Sequence, residues 1–184
     1  MFLFFPCVKI KMTSTLCQKR PYSRYMRYPL IFAKLQELCP SPQRILSFGC
    51  AQGEEILSLQ DVYPNAEVYG YDLVKRTPED AKFRILDSPD DFKHYNIICA
   101  LSVLYGPSVT WSTYAEIVTK LDQHLKYNGF LVLFNAQYCF NELPCAHKYL
   151  KITCPSRERP VPIFRSNGQP AIYPYILFKK IRHS

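Results

Sequence analysis

The chain has 184 residues, 48% of them hydrophobic, which is enough for one well-buried core and too few for two typical domains. Its eight cysteines contain no C-x-x-C pair and several fall inside apolar runs, so they read as reduced thiols of a cytoplasmic protein rather than as a disulfide framework or a metal site. The net charge of +8 is uneven: residues 1–30 carry six Lys and Arg and no acid, residues 31–150 ten against fourteen, and residues 151–184 seven against one.

Met1 to Phe5 is apolar, but Pro6, Lys9 and Lys11 follow, which leaves the run far short of a membrane span or a signal segment. Residues 1–24 are expected to be a basic extension, and residues 25–184 one domain. Met26, Leu30, Ile31, Ala33, Leu35 and Leu38 recur at helical spacing from Tyr25 up to Cys39-Pro40.

Arg44 to Leu73 then reads as strand, glycine turn, helix, strand. Ile45, Leu46 and Phe48 run into Gly49-Cys50-Ala51-Gln52-Gly53, and Ile56, Leu57 and Leu59 recur at helical spacing. Glu54 and Glu55 stand in the first turn, where the helix dipole favours acids. Tyr63-Pro64-Asn65 stops the helix, and residues 66–71 form a second strand that ends at Asp72. This layout sets a glycine turn and a carboxylate at one sheet edge, as in a nucleoside pocket. The spacing is not the G-x-G-x-x-G of a dinucleotide fold, and two acids after Gly53 would repel a pyrophosphate. They would tolerate a ligand with a cationic end.

After Asp72 the second crossover, residues 74–80, is short. Residues 82–86 are a third strand ending at Asp87-Ser88, and residues 89–94 are again a minimal crossover. Residues 95–100 are a fourth strand, followed by Leu101-Ser102-Val103-Leu104-Tyr105. Residues 110–125 form the clearest helix, with Thr110 as N-cap, an apolar face on Tyr114, Ile117, Val118, Leu121 and Leu125, and Asn128-Gly129 as its terminator. Residues 130–134 are a fifth strand, with Asn135, Tyr138 and Asn141 at its carboxyl end. Residues 150–154 and 174–181 are expected strands joined by an Asn167-Gly168 turn.

In the glycine turn, the acids after it and Asp72, the chain resembles the class I S-adenosylmethionine-dependent methyltransferases. Their first motif is a strand followed by D/S-x-G-C-G-x-G. Ala51 stands where that pattern has its middle glycine, and the GEE ending looks most like the chemotaxis-receptor methyltransferases. The resemblance implies a single α/β Rossmann-like domain. Its sheet would be seven-stranded and mostly parallel, with an antiparallel C-terminal strand and shortened crossovers after strands two and three. It also implies S-adenosylmethionine as cofactor, held by Gly49, Cys50, Ala51, Gln52, Gly53, Glu54, Asp72 and Leu73, with Asp72 on the ribose. Asp87 and Ser88 would contact the adenine, Ala100 and Leu101 would line the pocket, and Arg27 or Arg24 from a lid helix would clamp the methionine carboxylate.

The expected acceptor is a small molecule or a protein. Nucleic acid is less favoured, because Leu101 to Leu104 lacks the [DN]-P-P-[YF] tetrad of amino-directed nucleic-acid enzymes. His147, Tyr105 and Tyr138 are the candidates for moving a proton; His124, near a helix end, reads as a surface residue. Cys145, after Pro144, faintly echoes the nucleophile of carbon-5 pyrimidine enzymes. A second reading is a non-catalytic methyltransferase-like module that binds a partner or RNA through its basic ends.

Overall fold

A computed structural model of the chain describes residues 23–72, 84–88, 91, 93–154 and 161–182. Its first helix, α1, is Pro29–Leu38, which starts later than the apolar stripe from Tyr25 predicts. Proline at the first helical position disfavours helical geometry in the residue before it. Tyr28 accordingly sits at φ −120° and ψ 53°.

The βαβ unit forms as expected. β1 is Arg44–Phe48, α2 is Glu54–Val62 and β2 is Glu67–Tyr71. β1 and β2 pair in parallel from Arg44 opposite Glu67 to Phe48 opposite Tyr71. β3, Arg84–Ile85, extends the sheet beyond β2, and the Leu86 N–H continues toward it by donating to the Gly70 carbonyl at 2.8 Å. Leu73 and the short crossover after it lie outside the described residues. Residues 86–94, between β3 and β4, hold no α-helix among those described.

β4, Tyr95–Leu101, is followed by α3, Trp111–His124, whose Thr110 cap accepts from the Thr113 N–H at 3.2 Å. The helix does not run to Asn128-Gly129. β5, Leu125–Phe134, begins directly after it, because Leu125 already pairs with Tyr95. The buried Lys180 ammonium also caps the helix, donating to the carbonyls of Asp122 at 2.7 Å and Leu125 at 3.2 Å. Asn128-Gly129 instead falls in the irregularity between the Tyr95–Leu125 and Ile97–Phe130 pairs.

The closing elements are β6, Tyr149–Ile152, and β9, Leu177–Lys180, an antiparallel pair. The Asn167-Gly168 turn does not join them. It closes a separate hairpin of β7, Ile163–Phe164, and β8, Pro170–Ala171, in which the Arg165 N–H donates to the Gln169 carbonyl at 2.7 Å. Among the described residues the main sheet has seven strands in the order β3-β2-β1-β4-β5-β9-β6, and β9 is antiparallel to both neighbours. Two apolar layers cover it. Phe32, Leu35, Ile56 and Leu59 pack on one face with Ile45, Ile97 and Val132, whereas Tyr114, Val118 and Leu121 pack on the other with Ile98 and Leu131. Successive residues of one strand thus serve opposite layers, as a sheet buried on both faces requires. No helix among the described residues is long and apolar enough to cross a membrane.

Candidate functional site

The parallel order brings the carboxyl ends of β1, β2, β4 and β5 to one edge, and the turn after β1 is the tightest structure there. Gly49 has φ 81°, and a Cβ on it would meet Val103 Cγ2 at 2.3 Å, so only glycine lets Val103 pack against the turn. Gly53, at φ 101°, opens α2.

The amides of the turn point into the protein. Gly49 and Cys50 both donate to the Tyr71 carbonyl, at 2.7 and 3.3 Å, and Gly53 donates to the Cys50 carbonyl at 2.9 Å. Ala51 donates to Asp72 Oδ2 at 2.8 Å. A phosphate cradle needs such amides directed at its ligand. Here three consecutive ones are spent on the end of β2, which fastens the turn to Asp72.

Acids line the next step. Glu55 is 8% exposed, and Ser47 Oγ donates to its Oε1 at 2.7 Å. Burial pushes its carboxyl up to about 8, against the opposing pull of Ser47 and of the Arg27 charge. Glu54 Oε2 is buried with no hydrogen-bond partner among the described residues, a state that costs about 1–3 kcal/mol and that a donor from a ligand would relieve. Burial first, then the Asp72 and Glu55 charges, push the Cys50 thiol up to about 12, so it is a packing group rather than a nucleophile. Arg27 is half-buried, with its guanidinium carbon 5.1 Å from the centre of the Tyr28 ring. Arg24 and Gln52 are exposed.

Ala100 and Leu101 are buried at the end of β4. Ser102 follows in a left-handed conformation, φ 56°, and its hydroxyl accepts from Tyr28 OH and from Asn135 Nδ2, both at 2.8 Å. That junction ties the start of α1, the end of β4 and the end of β5 together. It escapes a reading of periodicity; its only local signal is one serine inside the apolar run from Ala100 to Leu104. Asp87 is exposed and Ser88 half-buried in the loop after β3, where the Ser88 N–H donates to Asp91 Oδ2 at 2.9 Å.

Tyr105 and Tyr138, both half-buried, lie on the loops after β4 and β5, and Tyr138 OH donates to the Val109 carbonyl at 3.4 Å. His147 and His124 are elsewhere. His147 is exposed, its Nδ1 2.7 Å from the Pro144 carbonyl, just before Tyr149. Tyr149 pairs with Lys180, at the amino edge of β5, and His124 in the last turn of α3 meets that same edge. The structure therefore brings neither to the glycine turn. Cys145 is buried in the same region, and burial holds its thiol up at about 11, unlike an activated nucleophile.

Solved methyltransferases are among the structures similar to this fold. An O-methyltransferase region of StiE matches with TM-score 0.50 and 16% identity over 67% of this chain and 51% of that one. The plantazolicin methyltransferase BpumL in complex with SAH matches with TM-score 0.45 and 18% identity, over 58% of this chain and 45% of that one. CalS10, a SAM-bound amino pentose methyltransferase from Micromonospora echinaspora, matches with TM-score 0.44 and 19% identity, over 56% and 47%. The chain thus spans about half the length of these structures. No curated protein matches it. A family model described as a methyltransferase domain matches residues 22–148, a span that runs from the approach to α1 through the glycine turn, Asp72 and β5, and the chain belongs to that methyltransferase-domain family.

Proposed function

We propose that the chain is a class I S-adenosylmethionine-dependent methyltransferase acting on a small-molecule or protein acceptor. The observation that supports this most is the turn itself: its Gly49, Cys50 and Ala51 amides are spent on Tyr71 and Asp72, so it suits a nucleoside flanked by acids rather than a pyrophosphate. The buried, unpartnered Glu54 Oε2 fits a ligand that brings a cationic donor. When bound, S-adenosylmethionine would supply a methyl group to an acceptor lone pair, the carbon–sulfur electrons staying on sulfur and the acceptor proton being relayed by Tyr105 or Tyr138 to water.

The chain's own residues mainly bind and orient. In this reading Asp72 accepts from the ribose hydroxyls, Glu54 faces the amino group, and Gly49 to Gly53 give close backbone approach. Arg27 meets the carboxylate from the lid, Asp87 and Ser88 reach the adenine, and Ala100 and Leu101 supply apolar wall. Tyr105 and Tyr138 are the proton-moving candidates at the correct edge. The GEE run keeps the chemotaxis-receptor subgroup as the proposed likeness by motif.

Calorimetric titration with S-adenosylhomocysteine tests the assignment through Asp72. Asp72→Asn keeps an acceptor for the Ala51 amide but loses the charge, and should weaken binding roughly tenfold. Asp72→Ala also frees the turn and should weaken it by up to about a hundredfold. Wild-type affinity in both variants contradicts the role of Asp72.

A further inference from the structure

At the lateral end of the main sheet, β6 is paired by β9 on one side, and among the described residues no strand covers its other side. The Ile181 N–H donates to the Lys148 carbonyl at 2.7 Å, and in an antiparallel pair every second residue turns both of its backbone groups the same way. Leu150 and Ile152 therefore face β9, whereas the N–H and C=O of Tyr149 and Lys151 point outward. Such a row is the template that a further strand uses.

The side chains around this row are cationic and apolar. Lys151 and Arg182 are exposed and Lys179 is half-buried, while Leu150 and Ile181 are 54% and 40% exposed. Lys151 Nζ rests 5.5 Å from the centre of the Tyr175 ring and Lys179 Nζ 5.8 Å from that of Phe130, which holds both ammonium groups close to the sheet. No acid occurs among the described residues from Leu143 to Arg182. Asp122, which reaches this region from α3, is committed to Lys148, Tyr149 and Lys180.

Edge lysines oppose pairing with a second copy of this +8 chain, yet they attract an anionic strand. Outward backbone groups also suit a polypeptide better than a nucleic acid, which has no ladder to match them.

We propose that β6 is a docking strand for an extended acidic segment of a partner protein, which adds antiparallel to it with an acid opposite Lys151 and an apolar residue opposite Leu150. Because Lys151 turns its backbone groups outward, the residue opposite it turns its own inward. The partner's acids thus carry the hydrogen bonds, and its apolar residues cover Leu150. β6 stands four strands from β1, roughly 19 Å at the usual strand spacing, so the partner leaves the glycine turn open. The proposal does not depend on the methyltransferase reading.

Fluorescence anisotropy of the full chain with a labelled peptide of alternating Glu and Val tests it. This peptide should bind, and its Lys-Val counterpart should not. N-methylation of the Glu amides should abolish binding, whereas N-methylation of the Val amides should leave it intact. Lys151→Glu, at an exposed position, should weaken binding roughly three- to tenfold, and Lys151→Ala replaces it if that variant does not fold. Saturating S-adenosylhomocysteine should leave peptide binding unchanged. No binding of the Glu-Val peptide, equal binding of the Lys-Val peptide, or equal loss from the two methylations overturns the proposal, as does competition from S-adenosylhomocysteine. Tighter binding of a single-stranded RNA of the same length gives the surface to nucleic acid, and a dimer of the free chain that the Glu-Val peptide dissociates gives it to a second copy; either overturns the acidic partner.

Discussion

Ala51 holds φ 50°, in the left-handed region where a Cβ crowds the following carbonyl and costs roughly 1–2 kcal/mol. It also occupies the position where the resembled motif has glycine, so the cost has a local remedy. Ala51→Gly should raise stability by about 1 kcal/mol in urea unfolding and keep or improve S-adenosylhomocysteine affinity. Ala51→Val, β-branched at positive φ, should lose both. A tolerated valine contradicts the strain. Glu55 carries a second cost at this scale. Its carboxyl is pushed up to about 8 in the folded chain, chiefly by burial, whereas an unfolded chain titrates near the ordinary glutamate value of 4.5. Between those values the folded state holds a proton that the unfolded state has lost, so stability falls as pH rises, by up to about 1.4 kcal/mol per unit. Glu55→Gln should remove that slope in thermal unfolding between pH 5 and pH 8. An unchanged slope in the variant places the titration elsewhere.

At the scale of elements, the clearest lock joins α3 to the last strands. Asp122 and Lys180 are each 2% exposed and sit 3.0 Å apart, and Tyr149 OH and Lys148 Nζ also donate to Asp122, at 2.7 and 3.0 Å. Burial raises the Asp122 carboxyl, but these donors overcome it and hold it below the usual range. Asp122→Ala leaves the Lys180 ammonium buried without its counter-charge and should cost about 3–5 kcal/mol in urea unfolding. Lys180→Met should cost less, since Tyr149 and Lys148 still serve Asp122; the reverse order contradicts this division. The same lock explains what was hard to read. The βαβ unit was legible because local features mark each of its boundaries: Gly49, Gly53, Tyr63-Pro64 and Asp72. The end of α3 was not, because the group that caps it lies 58 residues away from Asp122, beyond any local pattern. The Asn167-Gly168 turn was legible as a turn, but which strands it joined depended on pairing that turn chemistry does not encode.

Across the whole molecule the two sheet edges divide the work. The amino edge carries charge clusters: Glu67 pairs with Arg44 at 3.0 Å and Arg84 at 3.2 Å, and hydrogen bonds from Arg44, Tyr69 and Arg84 hold its carboxyl down at about 2. Asp122 with its lysines lies at this edge too. The carboxyl edge holds left-handed Ala51, Ser102 and Asn135, the buried Glu54 oxygen and the high carboxyl of Glu55. Ligand sites of open α/β sheets gather at that edge, and stored strain concentrates at such sites. The same edge would serve a dinucleotide or a sulfonium nucleoside, and the amides of the glycine turn decide between them. Calorimetry of the full chain with S-adenosylhomocysteine and with NAD, side by side, tests this most directly. Saturable binding of S-adenosylhomocysteine with no heat from NAD is expected, because the Gly49, Cys50 and Ala51 amides are committed to Tyr71 and Asp72 and Glu54 repels phosphate. Binding of NAD with none of S-adenosylhomocysteine would contradict it.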